Sequence, residues 1–483
     1  MFAQTAQIRC MHAALAAGIV LIAANIAPAA DSPASQPVER PNIIFILIDD
    51  MRWDIMSCAG HPFVKTPNID RIASAGVRFT NAFVTTSLCS PSRAAYLTGA
   101  TAEVNGVKVN EKNDPNPNVP MFPQLLQKAG YETALIGKWH MSGGAEPRPG
   151  FDYWLSFSWQ GVYLDPKLNE NGRDFQAKGY VTDLLTQYAV DFINRDRSKP
   201  FCLILSHKAM HGDFIPPERH KNLYKPSDPI EPPSFKDDFS DKPRWLRELR
   251  VRGGQQKKPF PPGGVPDRIE PVPWNPDEEL NRKHLNYLRT LAAVDEGVGR
   301  VLDTLRAKGL LDRTAIFFAG DNGFFMSEHR LSDKRLAYEE SIRIPFLAGG
   351  WGIAKPGRSA DQMVLNIDLA PTILELAGLP APKTVQGRSL KPLLADQKPA
   401  DWRDSFVYRY YKEDWLPGYP SLDALRTRDW IYIRYPDIKD IDELYDLRND
   451  RYEMHNLAGD PADRPRLEQM RSELDRRVKA GLP

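Results

Sequence analysis

The chain has 483 residues, about three times the ~150 that a single domain usually spans. Its 42% hydrophobic and 26% charged residues supply a packed core and exclude global disorder. Lys and Arg number 63 against 62 Asp and Glu, a net charge of +1, which excludes a nucleic-acid binder that works by bulk electrostatics but leaves room for a local cationic pocket. Four cysteines exclude a disulfide scaffold, and 42 prolines predict long ordered loops.

Residues 1–30 read as a secretory signal. Arg9 and His12 precede an apolar run from Ala13 to Ile26, and Ala27-Pro28-Ala29 offers small residues for cleavage. The run is shorter than the ~20 residues of a membrane span, so a short anchor is the lesser reading. No later segment has an apolar stretch of spanning length, so the expected product is soluble, exported to the periplasm or medium, and without stable membrane insertion. Cys10 would leave with the signal. Cys58, Cys89 and Cys202 remain, an odd number for an exported protein.

Ile43–Ile48 is a short continuous apolar run, which suits a strand buried on both faces of a parallel sheet. A helix is predicted from Thr66 to Ala75, with Thr66 as N-cap and Pro67 in its first turn. Another runs from Pro120 to Ala129. Thr133–Ile136 reads as a strand, Thr182–Ile193 as a helix, and Phe201–Leu205 as a second buried strand. Leu285, Leu288, Ala292, Val298, Val301, Leu302 and Leu305 mark a long amphipathic helix stopped by Gly309, and Thr314–Ala319 is a third buried strand. Strands alternating with helices predict an α/β domain with a mostly parallel central sheet flanked by helices.

Residues 214–282 break this rhythm, with 14 prolines from Pro216 to Pro276 and little periodicity. The stretch reads as a mostly irregular excursion, which either shapes a substrate cleft or lies on the surface without a role. Beyond about residue 370 come a helix at Asp368–Ala377 and aromatic-rich strands at Ser405–Tyr411, Asp429–Arg434 and Glu443–Asp446. A closing helix follows at Pro465–Lys479. The expected division is a catalytic domain over 31–370, interrupted at 214–282, and a small α+β subdomain with an antiparallel sheet over 371–483.

The chemistry-bearing residues cluster at strand ends. Asp49 and Asp50 follow the first buried strand, and Asp321-Asn322-Gly323 follows the third. Ligands in open α/β sheets bind outside the carboxyl ends of strands. Four oxygen-bearing side chains at two such ends suit a hard divalent cation, Ca²⁺ or Mg²⁺, rather than a structural zinc. Cys89 precedes a helix with Pro91 in its first turn and Arg93 one turn in. It is either a thiol whose pKa the helix N-terminus lowers or a buried inert one. Gly137-Lys138-Trp139-His140, Ser206-His207-Lys208 with His211, and Asp333-Lys334-Arg335 fall beside other strand ends. Arg93, Lys138, His140, His211 and Lys334 around a cation would neutralise a tetrahedral oxyanion and protonate a leaving oxygen. Read from the residues alone, this is a metal-assisted hydrolase of sulfate or phosphate esters.

Cys89-Ser90-Pro91-Ser92-Arg93 with Leu97-Thr98-Gly99 resembles the signature of the type I sulfatases. Asp49-Asp50, Gly137–His140, Asp321–Gly323 and Glu443–Leu447 follow in the family's order, so the resemblance spans roughly residues 41–460. It implies an alkaline-phosphatase-like fold and the conversion of Cys89 to Cα-formylglycine by a separate maturation enzyme that reads Ser90, Pro91 and Arg93. It implies one Ca²⁺ ion held by Asp49, Asp50, Asp321, Asn322 and residue 89. The implied mechanism is attack on sulfur by a hydroxyl of the hydrated aldehyde. His211 or Lys334 protonates the departing alcohol, and His140 assists expulsion of sulfate. Arg93 and Lys138 brace the site, and Lys334 also clamps a sulfate oxygen. Cys58 and Cys202 would remain as free thiols.

Weaker blocks point to the substrate. Phe151–Trp154, Tyr180–Asp183 and the region of Asn110 are similar to N-acetylglucosamine-6-sulfatases. The implied partner is therefore a sulfated carbohydrate, and Trp159, Tyr163 and Tyr338 are candidates to stack on a sugar. The alternatives are another glycan sulfatase such as an iduronate-2-sulfatase, an arylsulfatase, a phosphodiesterase or phosphatase of the same superfamily, and a non-catalytic carbohydrate-binding protein.

Overall fold

The computed structural model describes residues 40–483 except 111, 226, 229, 230, 252–266 and 271–277. The expected signal at 1–30 and part of the excursion at 214–282 lie outside the described residues.

The strands run in chain order as β1 (Asn42–Ile48), β2 (Gly76–Phe83), β3 (Glu132–Gly137), β4 (Tyr153–Ser156), β5 (Lys167–Glu170), β6 (Arg173–Gln176), β7 (Phe201–Ser206) and β8 (Thr314–Gly320). A two-residue ribbon follows, β9 (Phe325–Met326) with β10 (Ser332–Asp333), and then β11 (Phe346–Gly350) and β12 (Arg358–Leu365). Apart from the β9–β10 ribbon, these form one sheet in the order β12-β2-β11-β8-β1-β7-β3-β4-β5-β6. The middle run β8-β1-β7-β3-β4 is parallel throughout. β11 is antiparallel to both neighbours, β12 is parallel to β2, and β5–β6 is an antiparallel margin. The α/β expectation, with a mostly parallel sheet, therefore holds.

Period-two alternation explains why β1 sits at the centre. Ile44, Ile46 and Ile48 enter the core on one face, while Ile43, Phe45 and Leu47 enter the core on the other. Each buried aliphatic or aromatic side chain contributes ~1.5–3 kcal/mol. The helices Val181–Asn194 and Glu278–Ala307 cover the first face through Leu185, Phe192, Leu291 and Val298. The helices Cys89–Thr98, Phe122–Lys128 and Leu369–Leu376 cover the second through Leu97, Leu126 and Ile373.

A second, antiparallel sheet takes the order β13 (Ser405–Tyr410), β14 (Leu422–Thr427), β15 (Trp430–Arg434), β16 (Glu443–Asp446). The helix Arg464–Ala480 packs Leu467, Met470 and Leu474 on one face of it. The sequence gives no signal for β14, because Asp423 and Arg426 interrupt its apolar pattern. In the fold both charges are paired, Asp423 with Arg409 and Arg434, and Arg426 with Glu339.

The excursion is less irregular than its prolines suggest. It contains the helix Arg244–Val251, whose Trp245, Leu246 and Leu249 bury against the second sheet's core, and the long helix already begins at Glu278. Three arginines and a glutamate among the helix's eight residues mask that apolar face in sequence. Buried Lys242 anchors the segment by donating to the Tyr445 hydroxyl at 2.7 Å and the Glu453 carbonyl at 2.5 Å.

Gly137 ends β3 at φ +115°, where an added Cβ would lie 1.8 Å from the Ser206 carbonyl oxygen. That oxygen accepts from Lys138 N at 2.8 Å, so the close approach sets where Lys138 leaves the sheet. Gly137→Ala should destabilise the protein by at least ~2 kcal/mol, measured by chemical denaturation. Wild-type stability would show that the approach can relax.

Candidate active site

The site is built where β1 and β8 end. Asp321 N donates to the Ile48 carbonyl and Asp50 N donates to Asp321 Oδ1, both at 2.9 Å, so the two strand ends are laced together. Asp49 N donates to Ala209 O at 2.9 Å beyond β7. Asp50 has left-handed backbone, φ +53°, and its carbonyl accepts from the Tyr287 hydroxyl at 2.8 Å. These contacts turn the Asp49 and Asp50 side chains into one buried cluster.

Cys89 is the first residue of the helix Cys89–Thr98. Its Sγ donates to Asp49 Oδ1 at 3.4 Å and accepts from Lys334 Nζ at 3.3 Å. Arg93, one turn on, donates through Nε and Nη2 to Asp321 Oδ2 at 2.9 and 2.8 Å. Its Nη1 donates to Ser206 Oγ at 2.7 Å and to the Lys138 carbonyl at 3.0 Å. Lys138 Nζ pairs with Asp49 Oδ2, and Lys334 Nζ pairs with Asp50 Oδ1. Asn322 Nδ2 donates to Asp50 Oδ1 at 2.7 Å. His211 Nε2 lies 3.8 Å from Asp50 Oδ2 and is partly exposed, while His140 is buried. All ten residues singled out for catalysis and metal binding thus fall in one cluster.

Electrostatics separates their states. Burial pushes the Asp49 carboxyl upward, but the permanent charges around it, Lys138 first and then Arg93 and Lys334, outweigh it and hold the group well below the usual carboxylate range. Burial, reinforced by Asp49, pushes Asp321 up to about 6. Burial, with Lys138 beside them, keeps both His140 and His211 well below the usual imidazole range. Lys334 is held well above the usual lysine range, because Asp50 and Cys89 outweigh its burial. Cys89 departs from the activated-thiol reading. Burial and then Asp49 raise it well above the ordinary thiol range, so the helix N-terminus is overruled and the sulfur is no thiolate.

The residues fit a hard cation. Carboxylate oxygens of Asp49, Asp50 and Asp321 lie within 4.8 Å of one another. Asp50 Oδ2 and Asn322 Oδ1 are buried with no hydrogen-bond partner among the described residues. Two orphaned oxygens beside three carboxylates are the donor set of an oxygen-bound divalent ion.

The cluster opens into a cavity of about 440 Å³ lined by Asp50, Asn110, Gln160, His211, Phe324, Asp333, Lys334, Arg335 and Trp415. A larger cavity of about 810 Å³ shares only His284 and Met326 with it and contains none of the strand-end acids. Tyr163 and Tyr338 are buried core residues and do not face this cavity, which corrects the stacking expectation for both. Trp159 is 56% exposed. Two contributors were not legible in the sequence. Gln160 bridges the site, accepting from Lys138 Nζ at 2.5 Å and contacting His140 Nε2 at 2.7 Å. Trp415, 66% exposed, lies with its ring 5.4 Å from the Arg335 guanidinium. Neither stands in a motif. Among the described residues Cys58, Cys89 and Cys202 carry no disulfide.

This fold is that of an ester hydrolase of the alkaline-phosphatase type, with an acidic strand-end cluster that could hold a metal ion. Residues 41–379 match the family Sulfatase, and residues 327–480 match the family N-sulphoglucosamine sulphohydrolase, C-terminal. The chain belongs to the sulfatase family and is a sulfuric ester hydrolase. It is 36% identical to an N-acetylglucosamine-6-O-sulfatase of Bacteroides thetaiotaomicron over 91% of this chain and 86% of that one. It is 28% identical to an ulvan-active sulfatase of Formosa agariphila over 92% and 81%. A solved structure of a protein in complex with its substrate D-glucosamine-2-N,6-O-disulfate superposes with a TM-score of 0.80 at 33% identity, over 92% of this chain and 98% of that one. A phosphonate monoester hydrolase of Agrobacterium radiobacter, 22% identical with a TM-score of 0.74 over 92% and 96%, shares the fold.

With both histidines held below their usual range, and any bound cation lowering them further, they stay neutral as pH falls past ~6.5. The acid limb of kcat/KM should therefore lie below that value. A limb at or above it would contradict the reading.

Proposed function

We propose that the protein releases inorganic sulfate from the 6-position of a sulfated glucosamine in a larger glycan. The observation that carries this is the placement of Cys89 between Asp49 and Lys334, with Lys334 itself lining a sugar-sized cavity. The B. thetaiotaomicron relative and the solved glucosamine disulfate complex support the choice of sugar.

Asp49, Asp50, Asp321, Asn322 and residue 89 would hold one Ca²⁺, with residue 89 matured to formylglycine. The ion would polarise the sulfate group, and the modified residue would supply the attacking hydroxyl. The chain's own side chains do the remaining work. Arg93 and Lys138 fix the acids and shield their mutual repulsion. Lys334 enters the reaction protonated and stands beside residue 89, so its Nζ gives up that proton to the departing sugar oxygen, which leaves as the neutral alcohol, while its remaining N–H groups clamp a sulfate oxygen. His211, neutral at the cavity edge, orients that oxygen rather than protonating it. His140, neutral and gripped by Gln160, takes up a proton as sulfate leaves. Cys89 is fully buried, so the maturation enzyme has to meet Cys89–Arg93 before the helix docks. Residues 1–30 would direct export, and no described helix is long and apolar enough to cross a membrane.

Matured protein should release sulfate from N-acetylglucosamine-6-sulfate in preference to other sulfated sugars and 4-nitrophenyl sulfate, and Cys89→Ala should lose all turnover. Preference for another sugar would overturn the substrate and keep the class. Preference for a phosphate ester would overturn the class.

Trp415 supplies an exposed aromatic wall to the cavity. Trp415→Ala should raise KM for the sugar about 5–10-fold and leave kcat within about twofold. An unchanged KM would remove it from the binding surface.

A further inference from the structure

Lys334 is carried by an unusual stretch of backbone. Between residues 327 and 335, five residues that are not glycine adopt left-handed φ: Ser327 (+83°), His329 (+48°), Arg330 (+51°), Asp333 (+77°) and Arg335 (+89°). Such conformations persist only where the surroundings over-determine them. The segment's own backbone hydrogen bonds close one turn over 327–331: Ser327 N donates to the Leu331 carbonyl at 3.0 Å, Arg330 N to the Ser327 carbonyl at 2.9 Å and Leu331 N to the Glu328 carbonyl at 2.8 Å. β9 and β10 pair only Met326 with Ser332 and Phe325 with Asp333, and a two-residue ladder is too short to hold itself. Lys334 lies between two left-handed residues, so its Nζ reaches Asp50 and Cys89 only while this path is kept.

The segment's ends are tied to their neighbours. His284 contacts Ser327 Oγ at 3.1 Å, Arg335 Nε donates to Glu413 at 2.7 Å, and the Tyr408 hydroxyl donates to the Arg335 carbonyl at 2.6 Å. Apart from the Arg52–Glu328 ion pair at 2.8 Å, its middle is tied to the proline-rich excursion. Asp237 Oδ2 and His329 Nδ1 are 2.7 Å apart, and both residues are buried. His329 N donates to Ser234 Oγ at 3.2 Å, and Arg330 donates to the carbonyls of Asp237 at 2.5 Å and Glu270 at 3.1 Å. Asp237 is itself braced, because Phe239 N donates to its Oδ1 at 2.8 Å and Lys242 Nζ stands 3.8 Å from its Oδ2. Neither Asp237 nor His329 lines the reaction cavity.

We propose that Asp237 and His329 are positioning residues for Lys334. Their buried contact clamps the left-handed segment to the excursion and so fixes where the Lys334 ammonium meets the departing oxygen. The excursion then belongs to the catalytic apparatus. The proposal rests on the sulfatase reading of Lys334.

The test is a double-mutant cycle on kcat for the best sugar sulfate, with Asp237→Ala, Lys334→Ala and the double variant, sulfate being quantified directly. Asp237→Ala should lower kcat 10–100-fold in the wild-type background and less than threefold in the Lys334→Ala background. Its rate on 4-nitrophenyl sulfate, whose leaving group needs little protonation, should fall by a smaller factor than its rate on the sugar sulfate. Asp237→Asn is nearly isosteric and should fold readily. It should show a smaller loss of 3–10-fold that also disappears in the Lys334→Ala background. The same fold-loss in both backgrounds would overturn the proposal, as would wild-type rates in both Asp237 variants. A wild type inactive on every sulfate ester would instead defeat the sulfatase reading, which separates the two failures.

Discussion

The structure depends on keeping three carboxylates together in a dry pocket at the ends of β1 and β8. Asp49, Asp50 and Asp321 are buried and within a few ångströms of one another, a strongly unfavourable arrangement if uncompensated. Arg93 resolves most of it. Its guanidinium grips Asp321 through two nitrogens, reaches to 3.4 Å from Asp49, and binds Ser206 and the Lys138 carbonyl with its remaining arm. A lysine could not span these partners, since the planar fork serves β3, β7 and β8 at once. Removing one partner of such a buried pair generally costs ~3–5 kcal/mol.

That constraint explains why the helix Cys89–Thr98 lies where it does. It is buried along its whole length, Leu97 packs into the core on one face of the sheet, and Tyr96 donates to the Gly320 carbonyl at 2.8 Å at the end of β8. Docking the helix delivers Arg93 to the acids and Cys89 to Asp49 in one step. Lys138 and Lys334 complete the balance from β3 and from the left-handed segment after β8. Compensation stays partial, since Asp321 remains raised and two oxygens remain without partners, and this residual negative character is what a divalent cation would satisfy.

Much of this was legible in the sequence for one physical reason. Strands buried on both faces must be apolar without interruption, so Ile43–Ile48, Phe201–Leu205 and Thr314–Ala319 announce themselves, and the polar residues after them mark the sheet's carboxyl edge. Asp49, Asp50, Asp321, Asn322 and Lys138 were found in this way. The parts that escaped follow other rules. β14 carries charges that are paired only in the fold. The Arg244–Val251 helix hides its apolar face among arginines. Gln160 and Trp415 act from loops, where no periodicity points to them. Tyr163 and Tyr338 show the converse error, because an aromatic near a motif has the same composition whether it faces the cleft or the core.

Together the strand-end oxygens offer one site for a hard cation. Calorimetric titration of Ca²⁺ into chelator-treated protein, with the thermal midpoint followed in parallel, tests it most directly. One ion per chain and a Ca²⁺-dependent rise in midpoint are expected, both lost in Asp321→Ala. Wild-type protein that neither binds nor is stabilised by Ca²⁺, or a variant that responds as wild type does, would contradict such a site.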